Sequence, residues 1–271
     1  MVFFPPCKIN LGLRIIEKRN DGFHNIETCF FPLPWSDVLE IIPSSSFVFT
    51  SSGIPVPGDL NQNLCVKAYE LLQEAFNLPA VQIHLHKILP IGAGLGGGSS
   101  DAAYMLNGLN EIFELNISDT KLQQFASILG SDCAFFLKNQ PMIGTGKGDE
   151  LSSVALTLKG KFVVVAKPGV HISTHEAYAG VKPSNETKAI RNIVESVPIA
   201  DWRDLLENDF EASIFLKYPE IAICKHTMYD SGAVYASMTG SGSSVFGIFD
   251  NVVDLKSKFQ GCDYWAGELH N

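Results

Sequence analysis

The stretch from Pro90 to Ala103, PIGAGLGGGSSDAA, places five glycines in seven positions (Gly92, Gly94, Gly96, Gly97 and Gly98) directly before residues that favour a helix. Ordered glycine costs roughly 0.5–1 kcal/mol relative to alanine, so such a run calls for a role that only bare backbone can fill. The flanks define its setting. Val81, Ile83 and Leu85 alternate as in a strand, and Ala102, Leu106, Leu109 and Phe113 recur at helical spacing, so the loop joins a strand to a helix N-terminus. Amides exposed at such a point, with the helix dipole behind them, attract anions by about 0.3–1 kcal/mol. Ser99 and Ser100 add hydroxyls that a phosphate or a metal ion can use.

Two familiar phosphate loops do not account for the pattern. A Walker A loop needs a lysine after its last glycine, whereas Gly97 is followed by Gly98 and Ser99. The dinucleotide fingerprint G-x-G-x-x-G is met literally by Gly92, Gly94 and Gly97, with Glu114 at a suitable distance for a ribose contact. Its context is wrong, because Glu114 ends the first helix and a second helix follows instead of a strand. A plain surface turn seldom needs five glycines.

The composition restricts what the anion belongs to. A net charge of -9 over 271 residues argues against a general nucleic-acid binder, which would show a basic face. Six cysteines without a Cys-x-x-Cys read as free thiols in a reducing cytoplasm, and no stretch approaches the roughly 18 apolar residues of a membrane span. At 46% hydrophobic content the chain can bury a large core or two smaller ones.

Ile9, Leu11, Leu13 and Ile15 alternate with Lys8, Asn10, Gly12 and Arg14, which predicts a half-buried strand with Lys8 and Asn10 on one face. Ser44–Gly58 reads as a hairpin or surface loop, Asn63–Phe76 as a helix, and Ser118 as the cap of a helix that Gly130 ends. Asp132 then follows a helix end, where the dipole disfavours a carboxylate. The strand KFVVVA opens a new run of elements, Ser173 with Glu176 fits a capping box, and helices are expected over residues 187–196, Trp202–Leu216 and Pro219–Asp230. Strands Ala233–Met238 and Val245–Phe249 flank TGSGSS, before a final helix and strand. Cys133 reads as a small buried thiol, and His84 and His86 as exposed strand residues with no third metal ligand assignable.

Together these segments resemble the GHMP kinases, which pass phosphate from ATP to a small alcohol or acid. The glycine loop resembles the family's second motif, PPCKINLGLRI its N-terminal motif, GSDCAFFL its acidic catalytic segment, and MTGSGSSVFGIF its third motif, in the family's order across nearly the whole chain. The resemblance implies an α+β, two-domain fold with the active site in the interdomain cleft: residues 1–155 as the ATP-binding domain and 156–271 as a ferredoxin-like domain. It implies Lys8 and Asp132 as catalytic residues, and ATP with Mg²⁺ as cofactors. ATP would meet Asn63, Lys87, Pro90, Gly92, Gly94, Leu95, Gly96, Gly97, Gly98, Ser99 and Ser100, with Ser99 or Ser100 touching the metal. Lys8-x-Asn10, the DGFH of Asp21–His24 and the glycine loop are most similar to members acting on a cytidine-diphosphate-linked methylerythritol. On that reading Phe23 and Tyr178 sandwich a cytosine ring, His24 bonds its edge, and Asn10 and Thr174 complete the substrate contacts.

The chain departs from the family at Phe23, where tyrosine is usual, and at Ser131, Cys133 and Ala134, where Ala, Val and Pro are common. A cytoplasmic monomer or homodimer with a small-molecule substrate, and with neither nucleic acid nor membrane as partner, is expected. Another small-molecule kinase of the homoserine or mevalonate type, and a non-catalytic nucleotide sensor, remain open at this point.

Overall fold

The alternation at the N-terminus becomes a strand of 13 residues, Pro6–Lys18, in a computed structural model that describes residues 1–181, 183 and 189–270. The strand is buried on both faces through Ile15, not half-buried as expected: Lys8, Asn10 and Arg14 are 3%, 1% and 6% exposed. Alternation specifies two faces but not what covers the polar one, and here protein groups replace water as hydrogen-bond partners.

The described chain divides into two units whose segments alternate along the sequence. One comprises Met1–Cys7, Trp35–Ile91 and Gly96–Gln140, the other Lys8–Pro34, Gly92–Leu95 and Pro141–Asn271. The glycine loop therefore changes unit after Leu95.

In the first unit, strand Val81–Lys87 pairs antiparallel with Val38–Pro43, which carries the short Val2–Phe3 on its outer side. Leu39, Ile41, Ile83 and Leu85 are buried, and helices Leu64–Phe76 and Gly97–Ile112 pack together in the same unit. Asn63 caps the first helix, its side-chain oxygen accepting the Cys65 amide at 2.9 Å. Residues 48–53, expected in a hairpin or loop, form instead an edge strand parallel to Val81–Lys87. Its mostly exposed, Ser/Thr-rich sequence lacks a clear strand signal, and the pairing comes from the buried neighbour.

GSDCAFFL supplies a second correction. Ser118 caps helix Asp119–Leu129 and Gly130 ends it with extended backbone, but a further helix, Cys133–Lys138, starts at once with Asp132 as its N-cap. The carboxylate thus stands at the favourable end of a helix dipole, contrary to the expectation from sequence.

The second unit holds two antiparallel arrangements. Pro6–Lys18 neighbours His24–Ser36, followed by Met142–Thr145 and Glu150–Ser153. Phe162–Lys167 lies between Val245–Phe249 and Asp263–Glu268, and Tyr235–Met238 pairs on the far side of Val245–Phe249. Val164, Ala166, Met238 and Val245 share a core with Ile221 and Met228 of helix Pro219–Asp230.

The single helix expected over Trp202–Leu216 is a 3₁₀ segment, Ile199–Asp204, and a separate helix, Glu211–Lys217. The segment between them leaves the helix to pair with the long strand. The Leu13 amide bonds Glu207 O at 2.9 Å, the Ile15 amide bonds Asp209 Oδ2 at 2.7 Å, and Asn208 Nδ2 donates to Met238 O and Gly240 O. The helix expected from residue 187 is seen as Ile190–Ser196, residues 187 and 188 lying outside the described residues, and the final helix reduces to a 3₁₀ turn, Lys256–Phe259. Among the described residues no helix is long and apolar enough to cross a membrane.

Candidate active site

In the second unit, Lys8 and Asn10 project from the same strand face, as a period of two requires. Lys8 Nζ donates to Asn10 Oδ1 at 2.7 Å and to Gly94 O at 2.9 Å, and lies 5.5 Å from the centre of the Phe30 ring. Asn10 Nδ2 donates to Thr28 Oγ1 at 2.9 Å, whose own proton goes to Gly12 O at 2.6 Å, so the amide presents its oxygen to the ammonium. Thr239 closes the network: its hydroxyl accepts the Asn10 amide at 3.1 Å and reaches Asn10 Oδ1 at 3.1 Å and Gly94 O at 3.2 Å.

The first half of the glycine loop is part of this network. Lys8 N donates to Leu95 O at 3.0 Å and Ser244 N to Ala93 O at 3.2 Å. Gly94 has φ +76°, and a Cβ there would lie 2.0 Å from Thr239 O. Gly92 has φ +62°, and its Cβ would meet the His171 ring at 2.6 Å. Backbone closes the space at Gly94, and at Gly92 the left-handed conformation adds to the approach of a side chain that could turn away, so both positions favour glycine. Thr239 and His171 were not singled out as site residues from sequence; Thr239 was signalled by its place in TGSGSS, and His171 by nothing local.

In the first unit the loop ends at helix Gly97–Ile112, whose N-cap Gly96 (φ 73°) supplies no side chain, leaving the first-turn amides without a side-chain cap. Pro90 and Leu95 are buried, Ser99 is partly exposed, and Ser100 is fully buried with its hydroxyl lacking a hydrogen-bond partner. Lys87, expected near the ribose, is only 4% exposed and donates to the carboxylates of Asp37 and Asp101, to the latter at 2.8 Å. Burial would lower its pKa, but Asp101 and Asp37 reverse that and raise it. Burial likewise pushes the Asp101 carboxyl up to about 7 against the pull of Lys87. Asn63, expected near the adenine, spends its side-chain oxygen on the helix cap. Burial pushes the Cys133 thiol up to about 11, which suits packing rather than nucleophilic attack.

The expected substrate contacts lie together only in part. His24 stacks on Tyr178 with ring centres 4.6 Å apart at 18°, and the edge of Tyr178 meets Phe210 at 4.9 Å. Burial, and then the Lys18 charge, lower the His24 pKa, so the stacked ring favours its neutral form. Phe23 is 57% exposed with the Lys147 ammonium 5.2 Å above its ring. Thr174 opens helix Thr174–Ala179 beside the cap Ser173, whose hydroxyl accepts the Glu176 amide at 3.1 Å.

These residues fit a phosphate group: side-chain-free residues in a left-handed conformation, uncapped amides at a helix mouth, and a buried ammonium bonded to the same loop. They fit Mg²⁺ less completely. Among the described residues no three His, Cys, Asp or Glu side chains converge to hold a metal, so such an ion would draw on phosphate oxygens and water as well as on protein oxygens.

Comparison with known proteins gives the same picture over the whole chain. The family described as GHMP kinases N terminal domain matches residues 63–140, and GHMP kinases C terminal matches residues 191–260. The 4-diphosphocytidyl-2-C-methyl-D-erythritol kinase of Cytophaga hutchinsonii is 51% identical over 251 residues, 92% of this chain and 93% of the relative. The enzyme of the same description from Parabacteroides distasonis is 45% identical over 271 residues, 99% of this chain and all of the relative. A crystal structure of 4-(cytidine 5'-diphospho)-2C-methyl-D-erythritol kinase superposes with a TM-score of 0.86 at 31% identity, with full coverage of both chains. A homoserine kinase structure from Cytophaga hutchinsonii, TM-score 0.70 at 16% identity over 99% of this chain and 94% of that one, shares the fold. With an ammonium tied to a glycine-rich loop at a helix mouth and these matches along its length, the chain belongs to the GHMP kinase family.

Proposed function

We propose that this chain transfers the γ-phosphate of ATP to the 2-hydroxyl of 4-diphosphocytidyl-2-C-methyl-D-erythritol, a step of the non-mevalonate route to isoprenoid precursors. The relatives bearing that activity in their names, at 45–51% identity over 92–99% of this chain, support the substrate. The observation that carries the chemistry is the buried Lys8 ammonium held by Asn10 Oδ1 and by the carbonyl of Gly94.

Phosphoryl transfer depends on positioning and charge neutralisation more than on covalent help from the protein. Lys8 polarises the attacking hydroxyl, and Asn10 fixes the ammonium that does so. Asp132, at the N-cap of its helix, orients that hydroxyl and takes its proton. The amides of Gly97 and Gly98 and the loop from Pro90 to Gly96 receive the phosphates, with Asn63 on the nucleoside side. Mg²⁺, when bound, neutralises phosphate charge, and Ser99, whose hydroxyl is the more accessible of the two serines, is the protein oxygen assigned to it. Tyr178, Phe23, His24 and Thr174 hold the cytidylyl group. In this reading the nucleotide-binding domain runs to residue 155 and the ferredoxin-like domain from 156.

The test is ADP release from ATP and Mg²⁺ with a panel of acceptors: the cytidylyl methylerythritol, mevalonate and homoserine. The cytidylyl compound is expected to give the highest kcat/KM. A higher value for either other alcohol overturns the substrate, and nucleotide binding without ADP release for any acceptor makes the chain a sensor.

A further inference from the structure

Lys87 closes strand Val81–Lys87, Asp37 directly precedes strand Val38–Pro43, and Asp101 lies one turn into helix Gly97–Ile112. Their side chains meet in the interior of the first unit, at 4%, 0% and 2% exposure. One Asp37 oxygen accepts the Ile88 and Leu89 amides at 2.6 and 2.8 Å, and the other takes Lys87 Nζ. Lys87 Nζ also donates to Asp101 Oδ2 at 2.8 Å, while Asp101 Oδ1 is buried without a partner. The ammonium sits directly beneath the start of the helix, since a Cβ on Gly97 would lie 3.3 Å from Lys87 Nζ.

We infer that Asp37, Lys87 and Asp101 form a clasp that ties the strand end to the first turns of the helix, and that Lys87 shapes the phosphate-receiving mouth from within instead of bonding the nucleotide. The glycine loop leaves the strand at Lys87 and re-enters regular structure in the helix that carries Asp101, so one ammonium is tied to both ends of the glycine-rich stretch. Asp37, which sequence reasoning did not single out, is the positioning residue: it sets the ammonium and the two amides that begin the loop. A Cβ on Gly97 would be crowded equally by Leu89 and by the Lys87 ammonium, each at 3.3 Å. The inference rests on the reading that phosphates meet this helix mouth.

A buried ammonium removed alone leaves two carboxylates facing each other without a counter-charge, whereas removing one charge of each sign leaves a hydrogen-bonded remainder. In Lys87→Met with Asp101→Asn, the new amide can donate to Asp37. Calorimetric binding of ADP, thermal melting, and amide exchange over residues 97–103 of the full chain separate the roles. Lys87→Met is expected to weaken ADP binding by about tenfold or more, or to unfold the chain, Asp101→Asn to change binding by less than about threefold, and the double variant to recover most of the loss in binding and in exchange protection. A folded double variant that binds ADP as poorly as folded Lys87→Met shows that Lys87 contacts the nucleotide, and overturns the clasp. A double variant as unfolded as Lys87→Met also overturns it. Failure of the unaltered chain to bind ADP would instead sink the nucleotide reading itself, while melting and exchange still report on the clasp.

Discussion

Lys8 and Lys87 are buried to almost the same degree, 3% and 4% exposed, yet they are tied to different parts of the chain. Lys8 donates to the carbonyl oxygens of Asn10 and Gly94, and Lys87 to the carboxylates of Asp37 and Asp101. Carbonyl dipoles tie Lys8 to the glycine loop, while carboxylates tie Lys87 to a strand end and a helix inside the first unit. The lesson is that burial alone does not distinguish a catalytic cation from a structural one; the partners do. On this view Lys8 serves the proposed reaction and Lys87 serves the fold.

The largest effects test that contrast at the chemistry. Lys8→Met is expected to lower kcat on the order of 100-fold or more with a modest change in melting temperature, because it removes charge stabilisation that matters most in the transition state. Asp132→Asn is expected to lower kcat by a comparable factor, on the order of 100-fold, while ADP affinity measured by calorimetry stays near that of the unaltered chain. If Lys8→Met instead unfolds the chain and leaves no measurable enzyme, Lys8 belongs with Lys87 and the contrast breaks. An unchanged rate in Asp132→Asn removes that carboxylate from the mechanism.

Next in size is the loop that Lys8 holds. Gly94→Ala puts a methyl group where Thr239 O stands, at a φ of +76° that alanine rarely adopts, so backbone must move. The KM for ATP is expected to rise by about tenfold or more, with a fall in thermal stability from strain of order 1–3 kcal/mol. Gly98→Ala is the internal control, since its Cβ would meet only Leu64 Cδ1 at 3.8 Å, an ordinary contact. Equal KM values for the two variants would show that the Gly94 approach does not shape the site.

Much of this arrangement was legible in the sequence where a local period or a dense motif recorded it. The glycine loop between strand and helix, the shared face of Lys8 and Asn10, and the caps at Ser118 and Ser173 are all local patterns, and the structure contains them. The errors arose where distant segments decide. The polar face of Pro6–Lys18 reads as solvated until Thr28 and Thr239 arrive from elsewhere to bond Asn10. The helix expected through residues 205–210 gives way because backbone there pairs with Leu13 and Ile15. Asp37 stands 50 residues before Lys87, and no spacing rule connects a residue ahead of one strand to the end of another. The motif marks the position of Lys87 but carries no trace of the two carboxylates that bond it.

A smaller effect is expected in the aromatic group. Tyr178 stacks on His24 and meets Phe210 edge-on, so Tyr178→Ala removes a platform whose stacking on a base is typically worth about 1–3 kcal/mol. The KM for the cytidylyl substrate should rise by about five- to a hundredfold with little change in kcat. An equal loss with simple polyol acceptors would reject a cytosine-stacking role and assign Tyr178 to packing.

The smallest effect adds a third case to the two lysines, a ring from which charge is kept away. Burial, assisted by Lys18, lowers the His24 pKa in the folded chain below the usual histidine value of about 6.5. The unfolded chain therefore takes up the proton first as pH falls, and the stability that His24 contributes is complete above about 6.5 and is lost as pH drops from there through the lowered folded value. His24→Phe keeps a ring against Tyr178 and cannot titrate. Denaturation of both forms at pH 8 and pH 5 should show a larger loss for the unaltered chain than for His24→Phe, the groups common to both cancelling in the difference. Equal losses would mean that the stack holds a charged imidazole as readily as a neutral one, and the lowered pKa of His24 would then carry no weight in the stability of the fold.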